Sequence, residues 1–234
     1  MQHLLLDIEG TTTPIDFVHK TLFPFARERV GDFVAHNFEG LREEIDSLAE
    51  EAGRDIAAGT YEGGFEKRSA ESVAAYLQHL IDADRKSTPL KAIQGRIWKE
   101  GYVSGELISE VYPDVPGAFE RWAGDGDRVS IFSSGSVLAQ KLLFSHTSYG
   151  DLTRFISDYF DTNTGHKREA GTYSKIMKAL GADPAGILFV SDVDAELDAA
   201  ASAGLATRLS LREGNPPQEN AAGHAAISSL EEIA

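Results

Sequence analysis

Cysteine is absent from all 234 residues. That excludes a disulfide framework, a thiolate metal site and a cysteine nucleophile. Positive charge is scarce: 22 Lys and Arg stand against 37 Asp and Glu, for a formal net charge of -15. Such a field repels nucleic-acid backbones and anionic membranes, so any anion-binding role has to come from a local site. No apolar run approaches ~18 residues, and no basic stretch leads into a long apolar run at the N-terminus. Neither a membrane span nor a secretory leader is expected, and the reading is a cytoplasmic protein. The seven histidines contain no His-x-x-x-His pair. Also missing are a Gly-x-x-x-x-Gly-Lys loop and a strand-linked Gly-x-Gly-x-x-Gly, which disfavours zinc hydrolysis and ATP- or nicotinamide-driven chemistry. What remains is a chain with 42% hydrophobic and 25% charged residues. It can bury one large core, or a core with a smaller insert.

The pattern along the chain changes twice. Leu4-Leu5-Leu6-Asp7-Ile8-Glu9-Gly10-Thr11 opens as a continuous apolar run without alternation, which fits a strand buried on both faces of a parallel sheet. From Phe17 to Tyr112 the texture is helical and charged. Val73, Leu77, Leu80 and Ile81 recur at helical spacing, Thr88-Pro89 reads as an N-cap with proline in the first turn, and Gly53, Gly59 and Gly63-Gly64 punctuate the segment. Strand and helix patterns then alternate. Val129–Ser133, Gly186–Asp192 and Ala206–Leu211 are strand-like; helices begin after Ser136, run through Tyr173–Leu180 to Gly181, and span Ala195–Ser202. Gly124-Asp125-Gly126-Asp127 reads as a turn. The expected fold is α/β: a Rossmann-like, doubly wound parallel sheet (residues 1–16 and 113–234) with a helical insert over residues 17–112.

Two strands end alike, in Leu6-Asp7-x-Glu9 and in Val190-Ser191-Asp192. In one parallel sheet their carboxylates meet at the carboxyl edge, where ligands of open α/β sheets bind. Clustered carboxylates repel unless a cation joins them, and an oxygen-only set suits Mg²⁺. Asp7 alone would read equally well as a turn cap. Ser133-Ser134-Gly135 lies where a strand meets a helix N-terminus, which favours an anion but is also ordinary capping chemistry. A phosphate there needs a cation. Lys167, in the turn-like Gly165-His166-Lys167, is preferred over Lys175 and Lys178, which fall on the solvent side of their helix. Asp192-x-Asp194-x-Glu196 imitates a calcium loop but lacks its glycine and carries a helix pattern.

In this order Asp7-Ile8-Glu9-Gly10-Thr11, Ser133, Lys167 and Ser191-Asp192 resemble the four signatures of the haloacid-dehalogenase-like phosphatases. Glu9 departs from the usual Asp-x-Asp. With Ile15-Asp16-Phe17-Val18-His19, Trp98-Lys99-Glu100-Gly101-Tyr102, Ser133-Ser134-Gly135-Ser136-Val137 and Phe160-Asp161-Thr162, it is similar to the enolase-phosphatases of methionine salvage, the acireductone synthases. The resemblance implies a helical cap domain and Mg²⁺ held by Asp7, Glu9 (through its main-chain carbonyl) and Asp192. Asp7 is then the nucleophile, Glu9 the proton-transfer group, and Ser133, Ser134 and Lys167 the phosphate binders. Lys167 also serves catalysis by neutralising Asp7. The substrate is a small-molecule phosphate, with no nucleic-acid or membrane partner, and the protein acts as a monomer. Phe17, His19, Phe23 and Tyr102 become cap-side lining residues, each more readily read as ordinary core packing. The rivals are a sugar-phosphate or phosphoglycolate-type phosphatase on the same scaffold, and a binding module without catalysis.

Overall fold

The computed structural model describes residues 2–218 and 223–233. Six strands form one sheet: β1 (His3–Leu6), β2 (Arg128–Phe132), β3 (Ile156–Phe160), β4 (Ile187–Ser191), β5 (Ala206–Ser210) and β6 (Ala226–Ile227). Their order is β3-β2-β1-β4-β5-β6, and every neighbouring pair is parallel. This is the doubly wound α/β arrangement that the sequence pattern implies. Consecutive parallel strands need crossovers, and α6 (Asp114–Asp125), α7 (Val137–Ser145), α8 (Ala170–Leu180) and α9 (Asp194–Ser202) lie between them in sequence. With helices over the sheet, β1 and β4 are buried at every position, which is why both lack alternation. Leu5, Phe132 and Phe189 pack with Tyr173, Ile176 and Leu197 in one apolar cluster. Burying each such side chain contributes about 1.5–3 kcal/mol.

The strand order reverses between β1 and β4, so the crevice at their carboxyl ends is the switch point where ligands bind. Leu6 pairs with Val190, and the Asp7 N–H continues the ladder to the Val190 carbonyl at 2.9 Å. Asp7 and Asp192 therefore leave the sheet on the same edge.

The chain divides into two compact units, residues Met1–Val18 with Ile108–Ala234, and residues His19–Leu107. A three-residue helix, α1 (Ile15–Phe17), and a π-helical turn (Val18–Leu22) precede α2 (Phe23–Asn37), α3 (Arg42–Ala58), α4 (Ala70–Asp82) and α5 (Thr88–Ser104). Within the second unit, Val73, Leu77 and Leu80 are fully buried. Phe23 stacks on Trp98 with ring centroids 6.4 Å apart, and His19 meets Phe23 edge-on. Tyr102 is buried, as is Phe17 in the first unit.

Local structure departs from the sequence pattern in three places. The cap of α5 is Ser87, whose hydroxyl accepts the Leu90 N–H at 3.4 Å, so Thr88 and Pro89 both fall in the first turn. Gly53 does not interrupt the chain but lies inside α3, whose C-cap is Gly59. Gly124 and Asp125 finish α6, and Gly126 caps it, because the helical bonding of Trp122 and Ala123 outlasts the turn-rich composition.

Candidate active site

The loop after β1 is a tight turn folded around one carbonyl. The N–H groups of Thr11, Thr12 and Thr13 all donate to the Ile8 carbonyl, at 3.2, 3.0 and 2.9 Å, and the Gly10 N–H donates to Thr13 O at 2.8 Å. Thr12 Oγ1 donates to the Asp7 carbonyl at 3.1 Å, which ties the turn back to the strand end. Gly10 has φ of 66°, and a Cβ there would stand 2.5 Å from Asp192 Oδ2 and 2.8 Å from Asn215 Oδ1. Both the backbone conformation and the close approach of these side chains require glycine.

Asp7 is buried, and its Oδ1 accepts the Ile8 N–H at 2.7 Å. Its Oδ2 takes the Lys167 ammonium at 2.7 Å and the Ser191 hydroxyl at 3.2 Å. Lys167 Nζ lies equally close to Glu196 Oε2, at 2.6 Å, while Ser191 Oγ reaches the same oxygen at 3.0 Å. One ammonium thus bridges two buried carboxylates, and the single proton of the Ser191 hydroxyl serves one of them at a time. Burial disfavours the charged lysine, but Asp7 and Glu196 outweigh it and hold Lys167 above its ordinary pKa. Burial pushes Glu196 up, against the pull of Lys167. Below the bridge the Tyr173 hydroxyl meets the main-chain carbonyls of Lys167 and Glu196 at 2.7 and 3.1 Å. Gly165 lets the Lys167 turn close on α8, since a Cβ there would collide with Thr172.

Lys175, the competing cation, is exposed and donates to Thr164 O at 3.0 Å; Lys178 is exposed too. Ser133 and Ser134 follow β2 on the carboxyl edge, and Ser133 Oγ accepts the Gly135 N–H at 3.1 Å. The next helix, α7, is capped by Ser136 and by Asp161, whose Oδ2 accepts the Val137 N–H at 3.3 Å. Glu9 is half-buried in the β1 loop. The structure thus joins Lys167 directly to Asp7 and brings Asp192 against the Gly10 turn. The carboxylate it adds to the cluster is Glu196, which stands four residues after Asp192, one helical turn on, in the stretch whose spacing imitates a calcium loop.

Asp192 shares the crevice, and among the described residues no Lys or Arg pairs with it. Burial, then the charge of Asp7, pushes its carboxyl up to about 7. Among the described residues no three His, Asp or Glu side chains converge as a metal set, so a closed, zinc-like site is a poor fit. Two carboxylates at a strand switch point, one of them strained by its neighbour's charge, suit a hard cation that keeps waters and uses main-chain oxygen. The pH dependence follows from the direction of the Asp192 shift. A raised carboxyl favours the folded state at low pH, and that contribution disappears as pH rises through about 7. A bound divalent cation removes the penalty that ionised Asp192 meets above that value. If Asp192 ligates a divalent cation, the Mg²⁺-induced rise in melting temperature is therefore expected to grow as pH rises toward about 7 and to level off above it. A rise independent of pH would remove Asp192 as a ligand.

A parallel sheet in this order, with a lysine-bridged aspartate and a second aspartate at its switch point, is the architecture of one class of hydrolases. The sequence profile of the haloacid dehalogenase-like hydrolases matches residues 1–204, and the chain belongs to that family. Within it the chain is 53% identical over 218 residues to the enolase-phosphatase E1 of Synechococcus elongatus, across 92% of this chain and 91% of that protein. It is 43% identical to the enolase-phosphatase E1 of Drosophila pseudoobscura pseudoobscura, over 92% of this chain and 86% of the relative. The crystal structure of the UTR4 protein of Saccharomyces cerevisiae superposes with a TM-score of 0.76 at 34% identity, covering 99% of each chain. Among the described residues, no helix is long and apolar enough to cross a membrane.

Proposed function

We propose that this chain is a bifunctional, Mg²⁺-dependent enolase-phosphatase of methionine salvage, a cytoplasmic monomer. It enolises 2,3-diketo-5-methylthiopentyl-1-phosphate and then removes the phosphate, giving 1,2-dihydroxy-3-keto-5-methylthiopentene. Residues 1–16 and 113–234 act as the catalytic core and residues 17–112 as the cap domain. The observation that carries the reading is the Lys167 ammonium 2.7 Å from Asp7 Oδ2 at the switch point, in a chain so similar to enolase-phosphatases along its length.

Enolisation moves a proton from C1 of the diketone and places one on the C2 oxygen, leaving the phosphate ester intact. In the second step an Asp7 carboxylate oxygen bonds to phosphorus as the bond from phosphorus to the C1 oxygen breaks. Glu9 protonates that leaving oxygen. Water then attacks phosphorus, Glu9 takes up its proton, and Asp7 is regenerated with release of phosphate. Lys167 lets one anion approach another, because its ammonium already neutralises Asp7 and reaches toward the phosphate. The hydroxyls of Ser133 and Ser134, with the N-terminus of α7, hold phosphate oxygens. Held by Asp7, the Glu9 main-chain carbonyl and Asp192, Mg²⁺ supplies the positive charge that offsets what builds on the phosphoryl group. Glu196 and Ser191 hold Lys167 and Asp7 in register.

The test uses the purified chain with the diketo phosphate, with and without Mg²⁺, following enol absorbance and phosphate together. Enol signal preceding or accompanying Mg²⁺-dependent phosphate release is the expected result. Good hydrolysis of simple sugar phosphates with no enol would instead make this a phosphatase without enolase activity. In the same assay Glu9→Gln is expected to slow phosphate release by ~10²–10⁴-fold with Mg²⁺ binding retained. Full activity of that variant in both steps would end the proton-transfer role of Glu9.

A further inference from the structure

The loop after β5 places against the metal-side carboxylate a polar side chain that the proposed chemistry leaves unused. Asn215 Nδ2 donates to the Gly10 carbonyl at 2.9 Å and to the Ser210 carbonyl at 3.2 Å. Two main-chain acceptors fix which end of the amide is which, because an oxygen turned toward them would face lone pairs on both. Asn215 Oδ1 must then point the other way. It is buried, and among the described residues no donor reaches it. Its neighbour on that side is Asp192: the two oxygens, Asn215 Oδ1 and Asp192 Oδ2, lie 2.8 and 2.5 Å from the position a Gly10 Cβ would take.

Two oxygens brought within 3 Å of one point beside a glycine, one of them a buried amide oxygen with no donor among the described residues, form a place for a donor or a hydrated cation. Gly10 is what keeps that space open, and the Ser210 hydroxyl, donating to the same Gly10 carbonyl at 2.9 Å, helps fix the turn. The loop is held again one residue on: Arg212 donates to the Thr11 carbonyl through Nε and Nη2, at 3.3 and 3.2 Å, and to Asp114 Oδ2 at 2.8 Å. The acceptor is therefore presented by a braced loop.

We infer that Asn215 is a positioning residue for the divalent cation: its Oδ1 accepts a hydrogen bond from a water bound to the Mg²⁺ that Asp192 ligates. The inference rests on the metal site of the proposed function. It assigns Asn215 a part in cation affinity and in orienting Asp192, with no contact to phosphorus. Groups that hold the ligands and waters of a metal are worth roughly 10–100-fold in affinity.

Calorimetric titration of the full-length chain with MgCl₂ at fixed pH, alongside the Mg²⁺-induced shift in melting temperature, tests this without any substrate. Asn215→Ala, which removes acceptor and donors together, is expected to weaken Mg²⁺ by about tenfold or more and to shrink the melting shift. Asn215→Asp keeps an acceptor in place but gives up the donors to Gly10 and Ser210. It is expected to bind Mg²⁺ as tightly as wild type or more tightly, while melting lower in the absence of metal. If Asn215→Asp loses Mg²⁺ affinity as Asn215→Ala does, the side chain matters only for its donors and the inference is wrong. Unchanged Mg²⁺ affinity in Asn215→Ala also overturns it, as does a change confined to the KM for the diketo phosphate, which would assign the oxygen to substrate. Should Asn215→Ala not fold, Asn215→Ser, which leaves a small donor near the Gly10 carbonyl and withdraws the acceptor, takes its place. Wild type that binds no Mg²⁺ overturns the metal site itself and the inference with it, an outcome visible in the unmutated chain alone.

Discussion

Phosphate release by Asp7→Asn is expected to fall by ~10⁴-fold or more. The amide is nearly the same size, so the packing of the turn survives, and the Ile8 N–H can still find an oxygen where Asp7 Oδ1 accepts it at 2.7 Å. What disappears is the nucleophilic lone pair carried by an anion. The amide nitrogen then stands where Asp7 Oδ2 met the Lys167 ammonium, donor against donor, but Lys167 keeps Glu196 at 2.6 Å, so the melting temperature is expected to fall modestly while the activity is all but lost. Enolisation does not use the Asp7 nucleophile in the proposed order of steps. The variant is therefore expected to accumulate the enol phosphate, seen as a persistent absorbance, with no phosphorylated protein in intact-mass spectra. Phosphate release above about one per cent of wild type, or a phosphorylated variant, would remove Asp7 as the nucleophile.

Lys167→Met carries the second large effect, and it falls on stability as well as rate. Methionine fills a similar volume but leaves Asp7 and Glu196, now 2.7 and 2.6 Å from the ammonium, as two buried carboxylates with only Ser191 between them. Breaking a buried pair by removing one partner costs about 3–5 kcal/mol. At about 2–4 °C per kcal/mol for a chain of this size, the melting temperature is expected to drop by roughly 10 °C. The deficit has a pH signature. Without the ammonium, Glu196, already pushed up by burial, loses the charge that held it down, so the variant regains stability as pH falls and Glu196 protonates, whereas the stability that the raised Lys167 contributes in the wild type is lost as pH rises through its raised value. Activity is expected to fall by ~10³-fold, because an uncompensated Asp7 repels the phosphate it must attack. Equal melting curves for the two proteins would show that the bridge contributes nothing to folding.

Much of the site is legible in the amino-acid order because its residues sit at the ends of apolar runs. Buried parallel strands have no alternation to hide in, so Leu4–Leu6 and Ile187–Val190 stand out, and the residues that end them, Asp7 and Asp192, are conspicuous. Lys167 is separable from Lys175 because a helical face places Lys175 opposite Tyr173 and Ile176. Strand β3 is not legible in this way. It lies at the sheet edge, and Ile156-Ser157-Asp158-Tyr159-Phe160 is buried only at its first residue, so its polar positions dilute the apolar signal. Glu196 is hidden for the opposite reason: its neighbours Asp192 and Asp194 suggest a familiar loop, and an acid inside a helix usually means solvent. Only the packing of α9 behind β4 turns it inward to Lys167. Asn215 carries no local signal at all, since its partners Gly10 and Ser210 lie 205 and 5 residues away.

The amino-acid order by itself determined the α/β class, the helical segment within it, the carboxylates at two strand ends and the lysine that answers them. All of these follow from local periodicity and from where an apolar run stops. The tertiary structure alone decided that one ammonium serves two carboxylates, that Asp192 is buried beside them with no ion pair to a Lys or Arg among the described residues, and that the amide of Asn215 turns its oxygen toward it. Those are consequences of distance in space and of exclusion from water, which no spacing along the chain encodes.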